Sequence, residues 1–134
     1  MFKKFRALVV DDDGTTRLML RSMLETLEFA SVDTAAGAEG AKLAFQTSPD
    51  QWPDIILCDV NMKPTSGLEL VAWIKAQPKI MSRNIPIVMV TAHSDAPIVR
   101  RAMELGVSGY LVKPVQPMAL RMRMEKALLP RSFS

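Results

Sequence analysis

Asp11 with Asp12, Asp59, Thr91 and Lys113 each stand directly behind a short apolar run. The runs are F-R-A-L-V-V, I-I-L-C, I-P-I-V-M-V and G-Y-L-V. Three carboxylates gathered in one place repel one another unless a cation holds them, so a divalent ion is implied. All-oxygen ligation suits Mg²⁺ or Mn²⁺, and the lack of clustered His and Cys argues against zinc. A lysine and a hydroxyl beside a carboxylate and a hard cation make a cradle for a phosphoryl group. A carboxylate so placed can itself be the nucleophile and carry the group as an aspartyl phosphate.

That chemistry needs the four runs to end at one edge of one sheet. The pattern predicts strands at 5–10, 30–35, 55–58, 85–91 and 108–112, alternating with helices at 15–27, 37–47, 68–76, 95–105 and 116–129. Leu20, Met23, Leu24 and Leu27 in the first helix, and Leu70, Val71 and Ile74 in the third, recur at helical spacing. The second strand, A-S-V-D-T-A, is partly polar, as an edge strand would be. Two prolines break the chain at 48–53, and 77–84 reads as a loop. Alternation of this kind predicts an α/β fold, a doubly wound, five-stranded parallel sheet of (βα)5 type. In such sheets ligands bind outside the carboxyl ends of the strands.

Length and composition agree. At 134 residues, 49% apolar and 23% charged, the chain is expected to fold as a single domain, 1–134, with a core over about 5–129 and a short tail at 130–134. Its one cysteine, Cys58, lies in an apolar run and reads as a small buried residue, which fits a reducing cytoplasm. No apolar stretch is long enough to cross a membrane. The net charge of +3 is mild for a nucleic-acid binder, although Arg121, Arg123, Lys126 and Arg131 gather in the last segment against Glu125. The first reading of that segment is a solvated helix face; the second is a docking surface for an acidic partner.

From about Arg6 to Leu129 the chain resembles the receiver domain of two-component response regulators, of the single-domain chemotaxis-regulator type. Four motifs carry the resemblance in order: L-V-V-D-D-D, D-V-N-M-K-P-T-S-G, V-T-A and G-Y-L-V-K-P. It implies a flavodoxin-like sheet of order 2-1-3-4-5, with Asp59 as phosphoacceptor. The phosphoryl group would come from a sensor histidine kinase or a histidine phosphotransfer protein. Mg²⁺ would be held by Asp12 and Asp59, by Asp11 largely through water, and by the backbone carbonyl of Asn61. Lys113 would pair with Asp59 and then with the phosphoryl oxygens. Thr91, followed by the small Ala92, would swing inward, and Tyr110 would fill the space vacated. The change would repack the surface of the fourth helix, fifth strand and fifth helix for a downstream protein target. The Lys113–Pro114 bond is expected to be cis.

The chain departs from the family pattern at two places. Lys63 stands where a proline is common four residues after the phosphoacceptor, the proline here being Pro64; Val115 replaces a common phenylalanine. His93 reads as an exposed tuner of hydrolysis, Asp13 as a helix cap, and Met118, Met122 and Met124 mostly as core filler. Trp73 falls off the inward face of its helix.

The resulting expectation is a stand-alone signalling switch that assists its own phosphorylation and has no separate substrate. A phosphorelay intermediate and an unphosphorylated docking module are the alternatives, and a phosphorylation-dependent dimer is left open. A haloacid-dehalogenase-type phosphatase wants an acid where Asn61 stands. A flavin carrier would need a phosphate loop where Asp11–Asp13 stand, and direct DNA binding lacks its helix-turn-helix.

Overall fold

The computed structural model describes residues 2–92 and 96–129. Its elements run in the order β1 (Arg6–Val10), α1 (Gly14–Thr26), β2 (Ser31–Ala35), α2 (Ala38–Ala44), a 3-10 turn (Pro49–Gln51), β3 (Ile55–Asp59), α3 (Gly67–Lys75), α4 (Pro78–Met81), β4 (Ile87–Thr91), α5 (Ala96–Glu104), β5 (Gly109–Val112) and α6 (Pro117–Leu128). All four strand pairings are parallel, and the order is β2-β1-β3-β4-β5. This is the doubly wound sheet that the alternation predicts.

The continuous apolar runs become the sheet's interior. Every residue of β3 and β4 is buried, whereas the edge strand β5 alternates between buried and exposed positions and the edge strand β2 exposes Asp33 and Thr34. Such runs suit strands covered by helices on both faces. Ile56, Cys58, Ile87 and Met89 point into a core shared with Ala41 of α2, Leu70 and Val71 of α3 and Ala102 of α5. Ile55, Leu57, Val88 and Val90 point the other way, against Leu20 and Leu24 of α1 and Leu120 and Met124 of α6. The strand period of two thus divides the interior into two separate layers.

Several details differ from the sequence reading. Residues 78–81 form the one-turn helix α4, with Pro78 in its first turn, where proline is tolerated because the N–H it lacks has no intrahelical acceptor. The expected fourth and fifth helices are therefore α5 and α6. Of the last three methionines only Met124 is buried; Met118 and Met122 are 64% and 61% exposed, because the phase of α6 turns them to water. Trp73 is partly buried against one core, with the Lys42 ammonium 5.2 Å from its ring centre. His93 and the 130–134 tail lie outside the described residues, as does the expected start of α5 at residue 95.

Candidate functional site

Strand register brings the separated residues together. Val10 of β1 pairs with Cys58 of β3, so Asp11 and Asp59 leave neighbouring strands at the same height. Asp59 pairs with Val90 of β4, and Thr91 with Val112 of β5, so Thr91 and Lys113 follow along the same edge. Backbone bonds continue past the strands: Asp11 N donates to Ala35 O at 3.1 Å and Lys113 N to Thr91 O at 2.8 Å.

The carboxylates of Asp11, Asp12 and Asp59 each offer an oxygen within 4.8 Å of the others. Asp11 and Asp59 are buried and Asp12 is exposed, so the cluster opens to solvent on one side. Lys113 reaches in from β5, its Nζ 2.9 Å from Asp11 Oδ2 and 3.5 Å from Asp59 Oδ1. The ammonium thus lies nearer Asp11 than Asp59. Asp11 Oδ1 already accepts from Asp13 N at 2.9 Å, which leaves Oδ2 for the lysine; Asp59 Oδ1, which faces the lysine, also accepts from Asn61 N at 3.3 Å. Three carboxylates against one ammonium leave a deficit of two positive charges, which one divalent cation supplies. The donor set is all oxygen, which fits a hard cation.

The electrostatics carry the same imprint. Burial, and then the charge of Asp11, hold the Asp59 carboxyl above its ordinary range, with Lys113 opposing them. Burial pulls the Lys113 ammonium down, but its bonds to Asp11 and Asp59 outweigh that and leave it raised. Burial pushes the Cys58 thiol far up, which keeps it an inert core residue. A carboxyl raised in the folded state binds its proton more tightly there than in the unfolded chain. Stability therefore falls as pH rises from the unfolded value through the folded one. In chelator at neutral pH, Asp59→Asn is expected to unfold with about 1 kcal/mol more resistance than wild type. The gap should close below about pH 4. Denaturant melts at the two pH values check this, and a destabilised Asp59→Asn protein at neutral pH would refute it.

Around this centre, Asp13 caps α1, its Oδ2 accepting from Thr16 N at 3.1 Å and Thr16 Oγ1 at 2.6 Å. Thr91 is buried, Ala92 exposed, and Tyr110 on the edge strand is 37% exposed. Val115 is buried in the α1–α6 core layer, while Asn61 and Lys63 are exposed in the loop that follows Asp59. Lys113–Pro114 is cis, and so is Lys63–Pro64. Arg17 escaped the sequence reading: its Nη1 donates to Asp11 O at 2.7 Å from the first turn of α1. Its position six residues after Asp11 is the signal that would have found it.

Residues 7–125 match the family described as "Response regulator receiver domain". The chain belongs to that family. Receivers are signalling switches rather than classical enzymes, bind a divalent metal at an acidic pocket, and act between histidine kinases or phosphotransfer proteins and downstream targets. This receiver is 35% identical over 126 residues to the phosphate regulon transcriptional regulatory protein PhoB of Klebsiella pneumoniae. The match covers 94% of the chain but 52% of that regulator, so the chain spans about half the length of the curated relative. It is 31% identical to the chemotaxis protein CheY1 of Helicobacter pylori, covering 92% of the chain and 96% of that protein. Among solved structures, the chemotaxis response regulator CheY4 of Vibrio cholerae superimposes with a TM-score of 0.80 at 29% identity, over 92% and 98% of the two chains. No helix among the receiver's described residues is long and apolar enough to cross a membrane.

Proposed function

We propose that Asp59 is the phosphoacceptor of this receiver, taking its phosphoryl group from a phosphohistidine on a sensor histidine kinase or a histidine phosphotransfer protein. The observation that carries the reading is the placement of Asp59: buried at the end of β3, within 4.8 Å of two further carboxylates and 3.5 Å from an ammonium. An Asp59 oxygen attacks phosphorus as the bond from phosphorus to the donor's imidazole nitrogen breaks, and the nitrogen keeps the electron pair. Mg²⁺ would sit against Asp12, Asp59 and the Asn61 carbonyl, with Asp11 reached through water. Bound there, it would neutralise charge on the phosphoryl oxygens. Lys113 balances the same charge from the other side and orients the carboxylate.

Thr91 would turn toward the phosphoryl group, with Ala92 giving it room. Tyr110, standing outward at 37% exposure, would move into the space released. That exchange alters the face formed by α5, β5 and α6, where we place the downstream protein partner. The working unit is residues 5–129, acting in the cytoplasm. Phosphoryl lifetime would be tuned by Asn61 and His93, and affinity or partner choice by Lys63. Asn61 lacks the carboxylate a phosphatase acid would need, which disfavours the dehalogenase-type alternative.

The test is intact-protein mass spectrometry after incubation with Mg²⁺ and a small-molecule phosphodonor. One phosphoryl adduct is expected on wild type, and none on Asp59→Asn or in chelator. An adduct that persists in Asp59→Asn would overturn the assignment. No adduct on wild type, with donor competence verified on another receiver, would move the reading to a docking module or to strict dependence on a cognate kinase.

A further inference from the structure

Three cations face one concavity at the edge of the sheet opposite Asp59. Lys75 ends α3, and Arg123 and Lys126 lie one turn apart on α6. With Ile85, Pro86 and Ser108, which lead into β4 and β5, they line a cavity of about 210 Å³. Among the described residues no carboxylate lines it. Among the described residues none of the three cations takes part in an ion pair or a side-chain hydrogen bond. The one acid of α6, Glu125, is engaged with Arg121 at 3.9 Å.

Glycines stand beside two of these cations. A Cβ at Gly109 would stand 2.8 Å from Arg123 Nη1 and 3.0 Å from its Cζ, so a side chain there would make the guanidinium shift from its place against β5. Gly106, at φ +84°, is a position L side chains rarely adopt, and a Cβ there would lie 3.7 Å from Lys75 Nζ. The bland explanation is that the cations offset helix carboxyl ends. Three such ends converge here, those of α3, α5 and α6, and each contributes roughly −0.5 of a charge. That leaves about half of the three positive charges uncompensated. Moreover, carbonyls at these ends are already taken by backbone donors, such as Ile74 O by Gln77 N, Met103 O by Gly106 N and Ala102 O by Val107 N.

We infer that this cavity binds a compact polyanion of the diphosphate class. A planar guanidinium and two mobile ammonium groups around one concavity match several phosphate oxygens at once. The shared chemistry is a diphosphate, either free or as the end of a nucleoside diphosphate.

Two-dimensional ¹⁵N NMR titration with sodium pyrophosphate, in chelator at low ionic strength, tests the inference on the whole chain. Chelator removes the metal through which the Asp59 cluster would hold the same anion. Saturable shifts are expected at the amides of Lys75, Gly106, Ser108, Arg123 and Lys126. Arg123→Gln should weaken the fitted affinity about tenfold, the loss of one charge-assisted contact. Lys126→Gln, on an exposed residue, serves if the first variant fails to fold. Lys79→Gln on α4, outside the cavity, should change nothing. A parallel titration with a nucleoside diphosphate separates the sources, since the tighter of the two identifies which the cavity is shaped for. Shifts that never saturate, shifts centred on Asp59 and Lys113, or unaltered affinity in both cavity variants would each overturn the proposal.

Discussion

Gly67→Ala is expected to destabilise the receiver by about 3 kcal/mol, a fall of roughly 10 °C in melting temperature for a chain of this size. A Cβ at residue 67 would stand 1.9 Å from Asp59 O, 2.8 Å from Asp59 C and 3.0 Å from Val60 Cα. All three neighbours are backbone, so no side chain can rotate out of the way. Gly67 N also donates to Val60 O at 2.8 Å, which pins the loop back onto the end of β3. Relief of the clash has to separate α3 from that strand end and move Asp59 with it. Phosphoryl uptake should therefore fall along with stability. Calorimetry on the purified variant decides the matter: a melting temperature within a degree or two of wild type would mean that the loop yields at little cost.

Lys113→Met is the second large effect. The substitution keeps an aliphatic stem but removes the ammonium that lies between Asp11 and Asp59. Both carboxylates are buried, and breaking a buried ion pair costs more than the pair contributes when intact. The lysine side chain is 21% exposed, so solvent screens part of the interaction. We expect a loss of about 2–3 kcal/mol in chelator at neutral pH. The loss should shrink as the medium is acidified and the raised Asp59 carboxyl takes up its proton. It should shrink also when Mg²⁺ is added, because the variant's acids, no longer facing an ammonium, bind the cation more tightly than the wild type's and gain more stability by mass action. Urea melts in chelator and in Mg²⁺ read both effects. Equal stability of variant and wild type in chelator would show that water already satisfies the two acids.

The buried strands were readable because their chemistry is redundant. In β3, five consecutive residues must be hidden, and Ile55–Cys58 admit few alternatives. The meeting of Asp11, Asp12, Asp59 and Lys113 was readable because alternation of strand and helix leaves parallel strands ending on one edge. What escaped depends on phase and on contacts between distant residues. Pro78 looked like a breaker but sits in the first turn of α4, a distinction made only by the residues that follow it. Met118, Met122 and Met124 look alike in sequence, and only the rotation of α6 separates the buried one from the two exposed. Lys75 and Arg123 each resemble an ordinary solvated helix residue, and no spacing rule links them across 48 positions. The steric need for glycine at 67 likewise comes from a carbonyl eight residues earlier, brought alongside by the turn.

The division of the interior by the sheet has a practical corollary for anyone re-engineering the protein. Leu20, Leu24, Leu120 and Met124 share no layer with Leu70, Val71, Ile74 and Met89. The molecule thus holds two separately editable interiors, and substitutions confined to opposite faces should combine additively. The strands are the exception, since β1, β3 and β4 each spend alternate residues on both sides. A library built on the α1–α6 face can be screened for hardiness without retuning the layer beneath α3. One built on β3 tests both at once.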